Sequence, residues 1–341
     1  MRILCGVAGE GLGHAMRSRV VAEHLRSRGH EVKLVSSGRA CGYLQRSFDD
    51  VHPIPGFAFA YRGARLARCR SLALLGRGAV PAIRESIELY RGAIARFSPD
   101  VCVSDFDSFS HIFGRLFERP VISFDHQHVV DRCAHGVPLP RDFALTRAVV
   151  RGKLPGCRHY LVSSFYFPEP RRADTTLVGP ILRDEVLALE PTLGDHVLVY
   201  QTATISAELV AALRAVPEHK FVAYSRGDAG EWGNVSVRSF DEPRFLEDLA
   251  TARAVICNGG YTLMAEALYL GKPILSLPIR HQGEQELNAA YLAALGLGVA
   301  STHLDARAIR TFLRDLAPVP RMRAGNRSAF ATLDRLLERT S

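Results

Sequence analysis

Short apolar runs return along this chain, each followed by turn residues and then by apolar residues at helical spacing. Arg2–Val7 is the first run, Gly9 to Gly13 supplies the turn, and Met16, Val20, Val21 and Leu25 mark one helical face that Gly29 ends. Glu31–Ser36 begins the next cycle, and residues 101–104, 121–124 and 160–163 continue it. Strands that are apolar throughout and alternate with helices belong to parallel sheets covered on both faces. After Gly179-Pro180 the series starts again at 197–200, 221–224, 235–237, Ala254–Cys257 and 273–277, with helical patterns at 207–216 and 284–294. The expected architecture is α/β: two tandem, doubly wound parallel-sheet domains, 1–178 and 179–318, with a helical segment 319–341 packing back on the first. In such sheets ligands sit beyond the carboxyl ends of the strands, so two facing domains make a cleft between their loops.

Composition narrows the class. The 341 residues are 47% hydrophobic and 23% charged, which excludes collagen-like, low-complexity and wholly disordered chains. The longest uncharged apolar stretch, 289–300, is twelve residues, short of the roughly 20 a spanning helix needs. The apolar start is cut off by Glu10, unlike a secretory signal. Seven cysteines without a C-x-x-C pair read as buried thiols of a reducing compartment rather than a disulfide framework or zinc site. The expected location is cytoplasmic, peripheral on the inner face of the membrane at most. The net charge is +8, and Lys33, Lys153, Lys220 and Lys272 are the only lysines, so the basic surface is arginine. Arg62, Arg65, Arg68, Arg70 and Arg77 interleave with Leu66, Leu72, Leu74 and Leu75. Such a stretch either docks on an anionic membrane surface or forms a solvated arginine face over core leucines. Nothing points to nucleic acid.

The most specific motif is Asn258-Gly259-Gly260-Tyr261-Thr262-Leu263-Met264-Ala265-Glu266, followed by Gly271-Lys272-Pro273 and by Gln282-Gly283-Glu284-Gln285-Glu286-Leu287-Asn288-Ala289. It follows a strand and opens a helix. Paired glycines let a phosphate approach the backbone, and free N–H groups with the helix dipole favour a diphosphate there. Glu266, two turns on, can accept the hydroxyls of a ribose, and Glu284 and Gln285 can read those of a sugar. Each piece alone is also what a tight turn and an acidic helix start would give; the ordered set points to a nucleotide-sugar site. Near the N-terminus, Gly13-His14-Ala15-Met16-Arg17 sets a histidine at the carboxyl end of the first strand. Imidazole titrates near neutrality and can take a proton from an acceptor hydroxyl, so His14 is a candidate general base, with a structural histidine as the alternative.

These residues resemble the inverting glycosyltransferases of the two-domain GT-B fold, whose Rossmann-like domains face a cleft. The run Asn258 to Glu266 is similar to part of the plant UDP-glycosyltransferase signature. The chain also resembles the peptidoglycan N-acetylglucosaminyltransferases of MurG type and the teichoic-acid-type glycosyltransferases. The resemblance implies an acceptor-binding first domain and a donor-binding second, with the diphosphate, ribose and sugar at Gly259, Gly260, Tyr261, Thr262, Glu266, Glu284, Gln285 and Asn288. It implies the base role of His14, oriented by Asp105 with Asp107 in reserve. Two departures stand out: Asn258 replaces the plant histidine, and Gln201-Thr202-Ala203-Thr204 replaces a phosphate-touching Gly-Ser, leaving Thr202 as a hydroxyl contact. Gly13, Arg17, Asp107, Asp125, His126 and His128 are expected on the acceptor side. The two histidines at i, i+2 lack a third metal ligand at motif spacing, and the resemblance implies a sugar transfer that needs neither a metal nor a resident cofactor.

The implied activity is an inverting, metal-independent glycosyltransferase moving a sugar from a UDP-sugar to an acceptor hydroxyl. The acceptor would be lipid-linked, a cell-envelope glycan or a secondary metabolite. Gly13 to Arg17 also resembles a UDP-sugar hydrolase motif, so hydrolysis on the same scaffold and a non-catalytic nucleotide-sugar-binding module are the alternatives.

Overall fold

The computed structural model describes residues 1–9, 11–55, 61–62, 65–66, 84–201, 205–225 and 229–340. The arginine-rich stretch lies largely outside these residues or has no described side chains, and Thr202 also falls outside them.

The first sheet has seven parallel strands: β1 (Arg2–Val7), β2 (Glu31–Ser36), β3 (Val51–Pro53), β6 (Val101–Asp105), β7 (Val121–Asp125), β8 (His159–Ser163) and β9 (Thr175–Val178). Two-residue strands β4 (Tyr61–Arg62) and β5 (Arg65–Leu66) pair separately. The order β3-β2-β1-β6-β7-β8-β9 places β1, β6 and β7 at the centre, buried on both faces, which is why they read as unbroken apolar runs. The second sheet comprises β10 (His196–Tyr200), β11 (Lys220–Ser225), β12 (Gly230–Trp232), β13 (Val235–Ser239), β14 (Ala254–Cys257), β15 (Ile274–Ser276) and β16 (Gly298–Ala300). Its order is β12-β13-β11-β10-β14-β15-β16, parallel except for the edge strand β12. Each expected strand is present, extended or trimmed by a residue or two; β3, β9, β12 and β16 are short outer strands that periodicity did not reveal.

Local chemistry starts and stops the helices. The first, Leu12–Ser27, begins after Gly11 at φ 85° and ends before Gly29 at φ 81°, both in the region that favours glycine. Side-chain caps open five others: Asp107 accepts from Ser110 N, Ser206 from Leu209 N, Asp241 from Arg244 N, Gln282 from Gln285 N and Asp305 from Ala308 N.

The chain leaves the first sheet at Val178 and crosses through Gly179 to Leu182. It returns beside its own crossing, where Gly325 N donates to Pro180 O at 2.8 Å and Asn326 pairs with both backbone groups of Leu182. A Cβ on Gly325 would stand 2.0 Å from the Gly179 carbonyl carbon, so the two crossings touch backbone to backbone. The final helix, Asn326–Glu338, then buries Ala329, Leu333 and Leu337 with Ile3, Cys5 and Leu161 of the first domain. A continuous apolar cluster joins the domains through Phe165, Tyr166, Tyr261 and Tyr291.

Candidate active site

Parallel register brings the site residues to one edge. Val7 of β1 lies opposite Asp105 of β6, Ser104 opposite Ser123 of β7, and Asp125 opposite Val162 of β8. The loops after these strands therefore emerge together, facing those after β14 and β15 of the second domain.

His14, Arg17 and Ser18 fall at i, i+3 and i+4 of the first helix and share one face. All three converge on Asp105. His14 Nδ1 donates to Oδ1 at 2.8 Å, Arg17 donates to the same oxygen at 2.5 Å, and Ser18 Oγ donates to Oδ2 at 2.8 Å. Burial alone would push the Asp105 carboxyl up, but the Arg17 charge and then His14 outweigh it and hold it below the usual carboxylate range. With Nδ1–H committed to Asp105, the lone pair of Nε2 is the basic position, and it meets the amide nitrogen of Gln127 at 3.1 Å.

The acceptor-side expectations divide. Asp107 is a helix cap, buried and bonded to Ser110 N, so its role is structural and the expectation of an acceptor contact gives way. Asp125 is fully buried, accepting from Ser123 Oγ, His128 N and His128 Nδ1; the His128 charge and then these hydrogen bonds hold it down to about 2 despite burial, and neither side chain is open to an acceptor in this structure. His126 turns to the domain interface, its ring nitrogens each 2.8 Å from an oxygen, Ser163 O and Asn288 Oδ1. The two histidines therefore point apart. Among the described residues no three His, Cys, Asp or Glu side chains gather where they would hold a metal ion. Gly13 sits against the second domain, where a Cβ would come within 2.5 Å of Thr262 Oγ1.

On the donor side, Gly260 precedes the helix Tyr261–Tyr269 without a side-chain cap. A Cβ on Gly260 would meet nothing within 4 Å, whereas one on Gly259 would stand 2.4 Å from Gln285 O. The glycines thus differ: Gly259 is required by packing against the helix Gly283–Ala294, and Gly260 is the one with room at a helix N-terminus. Tyr261 lies flat on His126 at 3.9 Å, bonds Ser163 Oγ at 2.7 Å and sits beneath Arg17, so it is an interdomain contact. Asn288 is another: its oxygen accepts from Tyr166 OH at 2.8 Å and its nitrogen donates to Gly259 O. Gln285 Oε1 accepts from Ile279 N. Half-buried Glu284 lies close enough to the interface for its charge to act on His126 and Tyr166.

Glu266 is the main departure. Arg183 Nε and Nη2 bond its two oxygens at 2.9 and 3.0 Å, and Arg183 Nη1 also holds Glu242. Arg183 and Glu266 are each only 2% exposed. Breaking a buried pair costs about 3 to 5 kcal/mol, more than the roughly 1.5 to 3 kcal/mol of a hydrogen bond to a charged group. Where a ribose contact was expected, the Glu266 carboxylate is engaged by Arg183, with which a ribose diol would have to share it or compete. Lys272 is structural too, its ammonium donating to the carbonyls of Thr192, Ala250 and Ala252.

The sequence reading missed Ser18, Gln127, Ser163, Tyr166 and Arg183. Ser18 was legible from its i+4 spacing to His14, and Gln127 lies inside a run already singled out. Arg183, in the linker, carried no local signal.

Two α/β domains, with a histidine-carboxylate pair on one facing a helix N-terminus on the other, are the arrangement of the GT-B fold. Residues 1–317 match the family described as glycosyl transferase family 1, and the chain belongs to that family. It is 24% identical to an uncharacterized glycosyltransferase of Methanosarcina acetivorans, over 87% of this chain and 85% of the relative. It is 26% identical to the UDP-N-acetylglucosamine--N-acetylmuramyl-(pentapeptide) pyrophosphoryl-undecaprenol N-acetylglucosamine transferase of Methylobacterium nodulans, over 89% of this chain and 84% of that one. Among solved structures, a Streptomyces sp. SF2575 glycosyltransferase complexed with thymidine diphosphate shares the fold at a TM-score of 0.61 and 19% identity, covering 99% of both chains.

Proposed function

We propose that this glycosyltransferase moves a sugar, with inversion and without a metal, from a nucleoside diphosphate donor, a UDP-sugar foremost, to an acceptor hydroxyl. The observation that carries the reading is the His14–Asp105 pair at the carboxyl ends of β1 and β6, opposite the open helix start at Gly260. The acceptor O–H gives its proton to His14 Nε2 as its oxygen bonds to the anomeric carbon from the face opposite the diphosphate. The bond to the diphosphate breaks on the other side, which inverts that carbon. The departing charge develops near the N-terminus of Tyr261–Tyr269, where main-chain N–H groups and the helix dipole favour an anion. Asp105 keeps the proton on Nδ1 and steadies the imidazolium that forms. General-base assistance of this kind is worth about 10² to 10⁴ in rate. The relative named as a pyrophosphoryl-undecaprenol transferase supports a lipid-linked acceptor, and peripheral attachment to the inner membrane face would follow from such an acceptor. No helix among the described residues is long and apolar enough to cross a membrane.

The test is UDP release from a panel of UDP-sugars, in chelator, with and without a cell lipid extract. Release that needs the extract, yields a product of inverted configuration and falls at least tenfold in His14→Ala is expected. Stoichiometric release without acceptor would mean a hydrolase, and binding without release a module.

A further inference from the structure

Asp105 accounts for one ring nitrogen of His14; the other, on which the proposed transfer depends, is met by Gln127. Its amide nitrogen lies 3.1 Å from Nε2, and its amide oxygen is buried with no hydrogen-bond partner among the described residues. An amide serving only as scaffold would have both ends bonded, since buried polar groups are almost always paired. The backbone beneath it is fixed on both sides. His126 is clamped between Ser163 O and Asn288 of the second domain, and His128 is held by Asp125. Gln127 is thus a short side chain on a rigid segment, one end on the base and the other unused. The charged groups bonded to His14 or its partner, Asp105 and Arg17, lie on the Nδ1 side, so the described hydrogen bonds at Nε2 leave Gln127 alone to decide what it does.

We propose that Gln127 is a positioning residue: its N–H donates to Nε2 and keeps that nitrogen unprotonated, and it yields to the acceptor hydroxyl, its amide oxygen then accepting from a neighbouring hydroxyl of the same acceptor. Asp105 and Gln127 together select one tautomer, Nδ1–H with a bare Nε2, the form a general base needs. The incoming hydroxyl replaces the amide as donor to Nε2, and the freed amide swings without breaking any other bond. This rests on His14 being the base.

The test uses the full chain with ¹⁵N-labelled histidine. Long-range proton–nitrogen spectra at neutral pH report which ring nitrogen of His14, assigned by its loss in His14→Ala, carries a proton. The native protein is expected to show Nδ1 protonated and Nε2 bare. Gln127→Glu places a carboxylate acceptor against Nε2 and is expected to show both nitrogens protonated, with turnover down at least tenfold and donor KM within about twofold. Gln127→Leu, which removes the donor without adding charge, is expected to raise acceptor KM more than it lowers kcat. A native spectrum with the proton on Nε2, or a His14 signature unchanged in Gln127→Glu when that variant keeps the native melting temperature, overturns the proposal. If no UDP-sugar is turned over while the spectra behave as expected, the proposed reaction fails and the hydrogen-bond assignment survives.

Discussion

Replacing Asp105 disturbs two things at once, because the same carboxylate orients His14 and neutralises Arg17, which is 4% exposed. Asp105→Asn leaves a buried cation without its counter-charge, so it is expected to lower unfolding stability by about 3 kcal/mol as well as activity. Adding Arg17→Met should return most of the stability and none of the activity. Denaturant titration beside turnover reads the two apart; a double variant no more stable than Asp105→Asn would show that Arg17 is not the reason. Glu266 gives a second case. Because Arg183 occupies both its oxygens, UDP and 2′-deoxy-UDP are expected to bind within about threefold of each other by calorimetry. A tenfold preference for UDP that vanishes in Glu266→Gln would restore the ribose role.

At the level of elements, the two signature glycines separate packing from ligand contact. Gly259→Ala drives a Cβ into the carbonyl of Gln285 at 2.4 Å, and backbone does not step aside cheaply. That variant is expected to melt several degrees lower and to loosen Gly283–Ala294. Gly260 has extended backbone at φ −69°, ψ 125°, and clear space around it, so Gly260→Ala should fold with native stability or better. If the start of Tyr261–Tyr269 holds the diphosphate, the same methyl should weaken UDP binding at least tenfold. Equal loss of stability in both variants would mean that neither glycine is there for a ligand.

Across the whole molecule, the buried carboxylates set the acid limit. The Asp125 carboxyl is held at about 2, against about 3.9 in an unfolded chain, and Asp105 is also depressed. A depressed folded value stabilises above the unfolded one and is lost as pH falls through the folded one, so stability is expected to drop between about pH 4 and 2. Asp125 alone contributes about 2 kcal/mol of that fall. Urea midpoints measured across this range should decline less steeply in Asp125→Asn; an identical slope would remove Asp125 from the account. The domains are also in direct contact at the site, Gly13 against Thr262 and His126 against Tyr261. A donor placed between these residues has to displace these contacts.

The alternation of strand and helix, and with it two parallel sheets, was legible in the residues alone, because central strands buried on both faces must be apolar throughout. It also determined which loops end at the strands' carboxyl edges, and so put His14, Asp105 and the Gly259-Gly260 turn into one reading. Outer strands such as Val51–Pro53 and Gly298–Ala300 escaped it, being three residues long and bonded on one side only. Which partner each polar group meets was settled by the folded chain. Local pattern can place Glu266 on a helix or Asp125 at a strand end, but their roles depend on which partner from a distant segment reaches them first. Arg183 reaches Glu266 across 83 residues and Arg17 reaches Asp105 across 88, and a buried charge takes the counter-charge that the fold delivers to it.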